Sequence, residues 1–444
     1  MKRIIAPPNQ SELWQDLGNN LQAILDILDR VREPTVLGRY RHWHKLRFFQ
    51  PPDDLDLQRW WLGLKLQRKQ SRNVPLVDAS GQPFSFNTVD PLPECQHHID
   101  SSARGGVAMP EPVTNPEMRD RYLVRSLMDE AITSSQLEGA SATREVAKKM
   151  IREGLRPRDR GEQMILNNYN TMNEILKMRN EPLSRDLVFG IHRMITDRTL
   201  EDPSGAGRFR RQDEDIVVGD ESGEVFHVPP PADQLEHRME AMCRFANGET
   251  SGGFIHPLVR SIILHFWLAY DHPFIDGNGR TARALFYWST LRHGYWLFEF
   301  VSISKIILKA PAQYGRAFLY TETDDNDLTY FILYHSNVIR RAIDELNEFI
   351  ARRAMQLRQA AAELRGLTAL NHRQRELIGH ALRHPGHPYS IESHRVSHGI
   401  VYETARTDLM DLADRGLLIK RKNGRTWFFL PAADLEARLR TPAP

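Results

Sequence analysis

The chain has 444 residues, of which 59 are Lys or Arg and 57 are Asp or Glu, so its formal net charge is +2. This balance gives no global field that would commit the protein to nucleic acid or to an anionic membrane. Its two cysteines exclude a disulfide scaffold. The length predicts two or three globular domains of ordinary size.

No targeting or membrane segment is evident in the sequence. The most apolar stretch, residues 261–270, is about half as long as a membrane span. The first residues lack the apolar core of a signal peptide. We therefore expect a soluble, cytoplasmic protein with no membrane partner.

Residues 1–110 are interpreted as an accessory N-terminal lobe. Apolar residues at helical spacing predict one helix near Leu13–Val31 and another over Leu55–Lys69. Turn-rich residues then lead into a linker. Basic and aromatic residues alternate over Arg39–Phe48, which is typical either of a nucleic-acid surface or, as we favour, of a helix that packs its aromatic rings onto the domain.

Residues 111–355 are interpreted as one mostly helical domain. A β-hairpin interrupts the helices: Ile216–Val218 and Val225–Val228 flank a glycine-containing turn. A single hairpin adds little to the packing of helices, so it is a candidate functional flap. The predicted helices cover residues 117–138, 143–154, 159–179, 184–198, 232–247, 256–270, 280–293, 311–322 and 326–363.

Residues 366–431 change in character. Helices predicted at 372–384, 392–397 and 401–416 precede a basic hairpin with Asn423-Gly424 at its turn. This order is typical of a winged helix-turn-helix, so DNA is a candidate partner. Protein contact or dimerisation is the alternative use of such a fold. The side chains expected on the recognition helix are Tyr402, Thr404, Arg406 and Thr407.

The densest polar segment lies between two apolar helices, at residues 272–283. Gly277, Asn278 and Gly279 can adopt a positive φ, so that successive backbone N–H groups converge on an anion. The next helix is predicted to begin near Arg280, and its N-terminus favours phosphate. These features predict a phosphate-binding loop.

Charged side chains in the same segment complete a candidate site. Arg280 and Arg283 lie three residues apart, on one side of a helix, and could clamp the outer phosphates of a nucleotide. Asp276 is placed to hold Mg²⁺. His272 is a candidate general base. The alternative is a tight helix–turn–helix connection with a capping aspartate and solvated arginines, which explains this concentration of polar residues poorly.

Residues 272–283 resemble the signature of the Fic family, His-x-Phe-x-(Asp/Glu)-Gly-Asn-Gly-Arg-x-x-Arg, at every defined position. The similarity extends upstream through His256–Arg260 and Gly207–Arg210, and covers about residues 117–350. It implies a Fic-type helical domain with a β-hairpin flap. Together with the C-terminal winged helix-turn-helix, this gives a mainly α fold class.

Most Fic enzymes transfer AMP from ATP to a protein hydroxyl, and the resemblance implies roles for the segment. His272 would deprotonate a Ser, Thr or Tyr hydroxyl of the target, and Asp276 would coordinate Mg²⁺. The intact second glycine distinguishes the segment from the kinases of the same family and favours AMP transfer over phosphorylation. The residues implied to bind the nucleotide are Gly277, Asn278, Gly279, Arg280 and Arg283.

The resemblance also implies peripheral roles. The Val217–His227 hairpin would bind the backbone of the target protein by β-augmentation, and Val218 and Gly219 would touch the nucleotide. Tyr314 matches the first residue of a tyrosine pair in the adenine pocket, but Gly315 occupies the second position. An ordinary core tyrosine is the equal alternative for Tyr314.

Ser134-Ser135-Gln136-Leu137-Glu138-Gly139 resembles the family's inhibitory-helix motif, in a helix expected at about residues 121–139. The resemblance implies that Glu138 pairs with Arg283 and withholds it from the γ-phosphate, with Ser134 on the same helix face. The alternative is a helix that ends at a glycine with a solvated glutamate.

The leading hypothesis is thus a self-inhibited protein adenylyltransferase that uses ATP and Mg²⁺ and modifies a target protein as well as itself. One alternative is a transcription regulator that binds DNA through residues 366–431 and senses nucleotide through its Fic domain. The other is removal of AMP from a modified protein, with Glu138 positioning water. Assembly into a homo-oligomer is left open.

Overall fold

The protein is seen in a computed structural model that describes residues 4–18, 20–52, 55–69, 71–104, 116–214, 216–219, 223–250, 253–366, 370–423 and 426–440. Within these residues the fold is mainly helical with small antiparallel sheets, which confirms the expected fold class. No helix in the described part of the chain is both long enough and apolar enough to cross a membrane.

The α-helices in chain order are α1 (Gln10–Leu17), α2 (Leu21–Arg30), α3 (Trp43–Leu46), α4 (Leu57–Gln67), α5 (Leu92–Ala103), α6 (Pro116–Gln136), α7 (Arg144–Glu153), α8 (Arg160–Met178), α9 (Arg185–Thr196), α10 (Leu235–Asn247), α11 (Pro257–Asp271), α12 (Asn278–Arg292), α13 (Ile303–Leu308), α14 (Pro311–Glu322), α15 (Thr329–Gly366), α16 (His372–Arg383), α17 (Ile391–His398), α18 (Tyr402–Asp414) and α19 (Leu435–Arg440). The strands are β1 (Arg72–Val77), β2 (Pro83–Phe86), β3 (Val218–Gly219), β4 (Val225–His227), β5 (Tyr389–Ser390), β6 (Leu418–Asn423) and β7 (Thr426–Pro431).

The single helix predicted near Leu13–Val31 is wrong, because the chain forms α1 and α2 there. Gly18 follows α1 with a φ of +57°. The side chain of Asn20 then accepts a hydrogen bond from the Ala23 N–H and caps α2. The apolar spacing continues across this break because both helices bury residues on the same cluster, Leu13 from α1 and Ile27 from α2.

The turn-rich region of the N-terminal lobe contains regular structure that the sequence did not predict. β1 and β2 pair antiparallel, and Asp78 accepts hydrogen bonds from the backbone N–H groups of Ser80 and Gln82 at the turn. Helix α5 follows, with Pro91 at its N-cap. Proline has no backbone N–H, and the first residues of a helix have no acceptor within the helix for one. The prolines here therefore mark the beginning of a helix and not a break in it.

The described chain divides into two compact units. One contains the described residues of Met1–Gly105 and Ser126–Ile343, and the other those of Gly106–Arg125 and Asp344–Pro444. The N-terminal residues therefore share a unit with the central helices. The predicted domain boundaries at 110/111 and 355 stay predictions, and the first of them lies outside the described residues.

Buried ion pairs and hydrogen bonds join the N-terminal residues to the central helices. The ammonium of Lys65 lies 2.8 Å from Asp324, and Arg68 donates to the Tyr330 hydroxyl. The segment Arg39–Phe48 contains the four-residue helix α3 and not the longer helix expected there. Its Trp43 ring contacts Trp61, as expected for packing, whereas Phe48 is 70% exposed.

In the second unit, α16, α17 and α18 pack on a three-stranded sheet of order β5-β7-β6 around a common apolar core. This is the order of elements predicted for a winged helix-turn-helix. Gly416, with a φ of +71°, follows α18 and turns the chain into β6. The tip of the hairpin, including Gly424 and Arg425, lies outside the described residues.

Candidate functional site

The candidate site is the turn between α11 and α12, which is shaped by buried hydrogen bonds. Gly277 has a φ of +81°, and a Cβ there would collide with Thr196. The Asn278 side chain accepts from the Phe274 N–H (2.9 Å) and donates to the Phe274 carbonyl (2.8 Å). These two bonds close the loop, and the predicted role of Asn278 toward phosphate stays a prediction.

Helix α12 begins at Asn278, two residues earlier than predicted. The first N–H groups of an α-helix have no partner within the helix, so those around Gly279 form an anion-binding end. Arg280 is fully buried, and its Nε and Nη2 atoms have no hydrogen-bond acceptor among the described residues. A buried guanidinium with unpaired donors is costly unless an anion satisfies it.

His272 follows α11 in the left-handed region, with a φ of +43°. Such a conformation costs a non-glycine residue about 1–3 kcal/mol and is concentrated at functional sites. Its Nδ1 lies 3.3 Å from the Ala269 carbonyl, which can only accept. The proton therefore sits on Nδ1, and Nε2 carries the lone pair. Burial lowers the pKa of His272 to about 4, so the ring is a neutral base at physiological pH.

The backbone at His272 is held by Arg210, which sequence reasoning placed only in the segment of family resemblance. The Arg210 Nε donates to the His272 carbonyl (2.9 Å), and its backbone N–H donates to the Pro273 carbonyl (2.8 Å). A further N–H of the guanidinium donates to Pro230, which follows the flap. Arg210 thus connects His272 to the end of the hairpin by hydrogen bonds.

His192 on α9 was not predicted as a site residue. The Gly207 N–H donates to its Nδ1 (2.9 Å), so the ring proton sits on Nε2, which donates to the Asp276 carbonyl (2.9 Å). The ring stacks on Phe274 at 3.8 Å. Burial lowers the pKa of His192 to about 4, which keeps this neutral tautomer. A buried histidine on a helix far from the motif gives no sequence signal of this contact.

Asp276 has a side chain that is about one-third exposed and faces cations. Its Oδ2 accepts from Arg160 Nη2 (2.8 Å), and its Oδ1 accepts from the Gly277 N–H and lies 3.6 Å from Arg280. Arg160 was missed because it lies 116 residues away in sequence. In the described part of the chain no cluster of three His, Cys, Asp or Glu residues could hold a metal ion alone. One exposed carboxylate fits Mg²⁺, which commonly takes its other ligands from phosphates and water.

Ser134 and Glu138 meet Arg283, which is buried. Arg283 Nε donates to Ser134 Oγ (2.8 Å), and Nη2 donates to the Ser134 carbonyl (2.9 Å) and to Glu138 Oε1 (2.8 Å). A Cβ added to Gly279 would collide with the Glu138 carboxylate, so that carboxylate lies over the start of α12. Helix α6 ends at Gln136, so Glu138 reaches Arg283 from the turn after the helix and not from the helix face that was predicted.

Helix α6 is fixed in this position by Glu130, another residue without a sequence signal. The buried carboxylate of Glu130 accepts hydrogen bonds from the Tyr287 hydroxyl of α12, from Ser302 at the N-cap of α13 and from Ser304 in its first turn. A buried polar network whose hydrogen bonds are all formed stabilises one arrangement of the helices that it joins.

The flap is a short antiparallel pair in which Val218 lies opposite His227 and Gly219 opposite Val225. Residues 220–222 of its tip lie outside the described residues. No hydrogen bond in the described part of the chain joins Val218 or Gly219 to the loop. His227 fixes the base of the flap: its Nδ1 lies 2.6 Å from Glu322 Oε2, and its Nε2 lies 2.7 Å from the Tyr270 carbonyl.

Tyr314 is half-buried, and its hydroxyl lies 2.9 Å from Nε2 of His265. Burial raises its pKa to about 12, although the charge of Arg283 acts in the opposite direction. The ring also contacts Phe318. Tyr314 therefore lies in an aromatic cluster near Arg283, and its role toward adenine stays a prediction.

The segment that contains the loop, the two arginines and the flap is similar in sequence to a known protein family. The sequence model of the Fic/DOC family matches residues 182–289. These residues form a Fic domain. The Fic domain includes His192, the flap and the whole 272–283 segment, whereas Ser134, Glu138 and Tyr314 lie outside the match.

Curated relatives of the Fic domain include "Protein adenylyltransferase Fic" of Nematostella vectensis, 28% identical over 173 residues (39% of this chain and 36% of the relative). The protein of the same name from Drosophila ananassae is 35% identical over 124 residues (28% of this chain and 22% of the relative). The matches thus span about a third or less of these relatives' length.

A crystal structure of a Fic family protein from Desulfovibrio desulfuricans G20 superimposes with a TM-score of 0.51. It is 21% identical and covers 78% of this chain and 97% of that one. The likeness therefore reaches beyond the Fic domain and supports a shared fold.

Proposed function

We propose that the protein transfers AMP from ATP to a Ser, Thr or Tyr hydroxyl of a target protein and of itself, and that Glu138 restrains this reaction. The relatives of the Fic domain carry the name protein adenylyltransferase. The observation that carries the proposal is the set of buried donors at the loop, beside the N-terminus of α12. Arg280 Nε and Nη2 make no hydrogen bond within the described residues, and the Asp276 carboxylate lies 3.6 Å from Nη2, beyond hydrogen-bond distance. Triphosphate oxygens match such donors in charge and number.

In the proposed reaction, Nε2 of His272 removes the proton from the target hydroxyl. The hydroxyl oxygen forms a bond to the α-phosphorus as the bond from that phosphorus to the bridging oxygen of the β-phosphate breaks. Pyrophosphate leaves with the bonding electron pair, and the proton on His272 returns to water. Arg280 and Arg283 bind the β- and γ-phosphates and offset the charge that develops on the leaving group.

Asp276 would hold Mg²⁺, which when bound would offset the negative charge of the nucleotide's phosphates. The Arg160 guanidinium that now pairs with Asp276 is 58% exposed, so this pair can open at modest cost. The Val217–His227 flap would hold the target by strand pairing, since its backbone lies at the sheet edge. Cytoplasmic location and the oligomeric state stay predictions.

Inhibition would operate at Arg283. Three of the hydrogen bonds that its guanidinium donates go to Ser134 and Glu138, and the Glu138 carboxylate covers Gly279. A γ-phosphate would have to displace that carboxylate, and the two negative groups repel each other. ATP would therefore bind weakly or with a misdirected α-phosphate until Glu138 moves away.

The proposal is tested by incubating wild type and Glu138→Gly with a cell lysate and ATP labelled at either the α- or the γ-phosphate. We expect label on protein from α-labelled ATP alone, and more of it with Glu138→Gly. Label from γ-labelled ATP would indicate phosphorylation and overturn the proposal. Release of AMP from a target that has been modified beforehand, faster with wild type than with Glu138→Gly, would favour AMP removal instead.

A further inference from the structure

The second unit presents one face that its own fold does not cover. Val401 and Tyr402, where α18 begins, are 69% and 51% exposed although both are largely apolar. Arg406 and Thr407, one turn further along, are exposed as well. In the order of elements found here, the first turns of this helix are those that enter a DNA groove in winged helix-turn-helix proteins.

The hairpin β6–β7 extends this face with positive charge. Lys420 and Lys422 lie on the same side of β6 as Trp427 across the pair, because Lys422 pairs with Trp427 and Lys420 with Phe429. The Lys420 Nζ lies 4.2 Å from the centre of the Trp427 ring, which is 39% exposed.

Helix α18 and the hairpin form one continuous surface. The Lys420 Nζ lies 3.3 Å from the sulfur of Met410 on α18. Arg406 precedes Met410 by one turn on the same helix face. The ion pair between Arg406 and Glu403 spans 3.3 Å, and both side chains are mostly exposed. An exposed pair of this kind contributes little free energy, so a stronger anion can replace Glu403 as the partner of Arg406.

Two of the four acidic residues of α18, Asp408 and Asp411, make hydrogen bonds within the unit. Asp408 is buried and accepts hydrogen bonds from Asn371 and Arg373. Asp411 accepts from Gln374 and Arg415. The negative charge of these two carboxylates is thus offset within the unit. On the proposed face Glu403 is the acidic neighbour of Arg406, and Lys420 and Lys422 of β6 add positive charge.

From this surface we propose that the second unit binds duplex DNA, with the first turns of α18 in the major groove and Lys420 and Lys422 on the adjoining phosphates. A helix fits the major groove of B-form DNA but not that of A-form RNA. Arg406 can donate two hydrogen bonds to guanine, and Val401 or Tyr402 can contact a thymine methyl group. This proposal is independent of AMP transfer.

The test measures binding of the full-length chain to a duplex of about two helical turns, drawn from a random-sequence pool, by fluorescence anisotropy over a series of salt concentrations. We expect binding that weakens with salt. In Lys420→Gln/Lys422→Gln the slope of log affinity against log salt should fall by about two, because each lost phosphate contact removes about 0.9. The control Lys149→Gln/Lys177→Gln removes two charges from exposed positions on α7 and α8 and should bind like wild type.

Three results would overturn the proposal. Wild type could fail to bind the duplex at low salt. The β6 variant could bind with the same slope as the α7/α8 control. A single strand could bind as tightly as the duplex. His272→Ala, which retains this surface, should bind DNA like wild type, and a circular-dichroism melt confirms that the β6 variant is folded.

Discussion

The carboxylate of Glu138 accepts a hydrogen bond from the buried guanidinium of Arg283, 145 residues away in sequence, over 2.8 Å. Arg283 also donates to the side chain and the carbonyl of Ser134, so Ser134 and Glu138 together hold it by three hydrogen bonds. Hydrogen bonds to charged groups contribute about 1.5–3 kcal/mol each. The proposed phosphate ligand is thus already occupied from within the chain.

Glu138→Gly should therefore raise self-modification about ten- to hundredfold, because one charge-assisted bond to Arg283 is lost. Arg283→Ala should lower it in both the wild-type and the Glu138→Gly background, since the reaction needs the arginine whether or not inhibition operates. Self-modification by these four proteins is the measurement. Glu138→Gln, which keeps the size but not the charge, should lie between wild type and Glu138→Gly. Equal rates for wild type and Glu138→Gly would contradict inhibition while leaving AMP transfer untouched.

His272→Ala should lower transfer about 10²–10⁴-fold, the usual loss for a general base, while the nucleotide still binds. Burial lowers the pKa of His272 to about 4, so the wild-type base is neutral throughout the range from about pH 5 to pH 8. Because His272 does not gain a proton in this range, kcat/KM should not fall through titration of His272 as the pH is lowered from 8 to about 6. An acid limb centred near pH 6.5, the ordinary histidine pKa, would show that the ring is not in this buried environment during the reaction.

Asp276→Ala should abolish activity together with the metal dependence of nucleotide binding, because Asp276 is the only acidic residue of the 272–283 segment. ATP affinity is measured with Mg²⁺ and with a chelator. Wild type should bind more tightly with Mg²⁺, and the variant should show no difference. Arg160→Gln is the matched control: it removes the cation that now pairs with Asp276 and should retain or increase the Mg²⁺ effect.

The sequence predicts those parts of the site that are local. The glycines, arginines and histidine of 272–283 lie within one turn and two helix ends, so their spacing specifies the geometry directly. Glu138 and Arg283 could be paired only through a family motif, and the turn that carries Glu138 to Arg283 was not foreseen. The roles of all these residues stay predictions.

Other features depend on contacts between segments that are distant in sequence. His192 and Arg210 hold the loop by hydrogen bonds to backbone carbonyls. Because every residue has a backbone carbonyl, the sequence of the loop does not indicate which side chain binds it. Helix α5 was missed because prolines at a helix start resemble those in a turn. The break between α1 and α2 was missed because Gly18 interrupts the backbone but not the apolar spacing.

His192 can be tested by two conservative changes that separate its two hydrogen bonds. His192→Gln can keep a donor to the Asp276 carbonyl, whereas His192→Asn can keep only the acceptor for the Gly207 N–H. If His192 positions the loop, kcat/KM for ATP should fall about tenfold with Asn, equivalent to about 1.4 kcal/mol, and less with Gln. An equal loss of activity in both variants, in proportion to their loss of thermal stability, would indicate a packing role only.

The last prediction concerns the base of the flap, where His227 lies between two acceptors, Glu322 and the Tyr270 carbonyl. Both ring nitrogens must donate for both bonds to form, so this arrangement favours the imidazolium. Burial by itself lowers the pKa of His227, but the hydrogen bond and charge of Glu322, aided by the Tyr270 carbonyl and Asp271, raise it above its ordinary value.

A folded-state pKa above the unfolded value of about 6.5 means that the stabilisation is complete below that pH and is lost as the pH rises through the raised pKa. The stability difference between wild type and His227→Gln should thus be larger at pH 6 than at pH 9, in thermal melts of both proteins. Glu322→Gln should reduce the pH dependence in the same direction. His237→Gln, at an exposed position on α10, is the control and should change neither. A difference between wild type and His227→Gln that is constant from pH 6 to pH 9 would show that His227 is neutral in the folded protein, and that the flap is held without an ion pair.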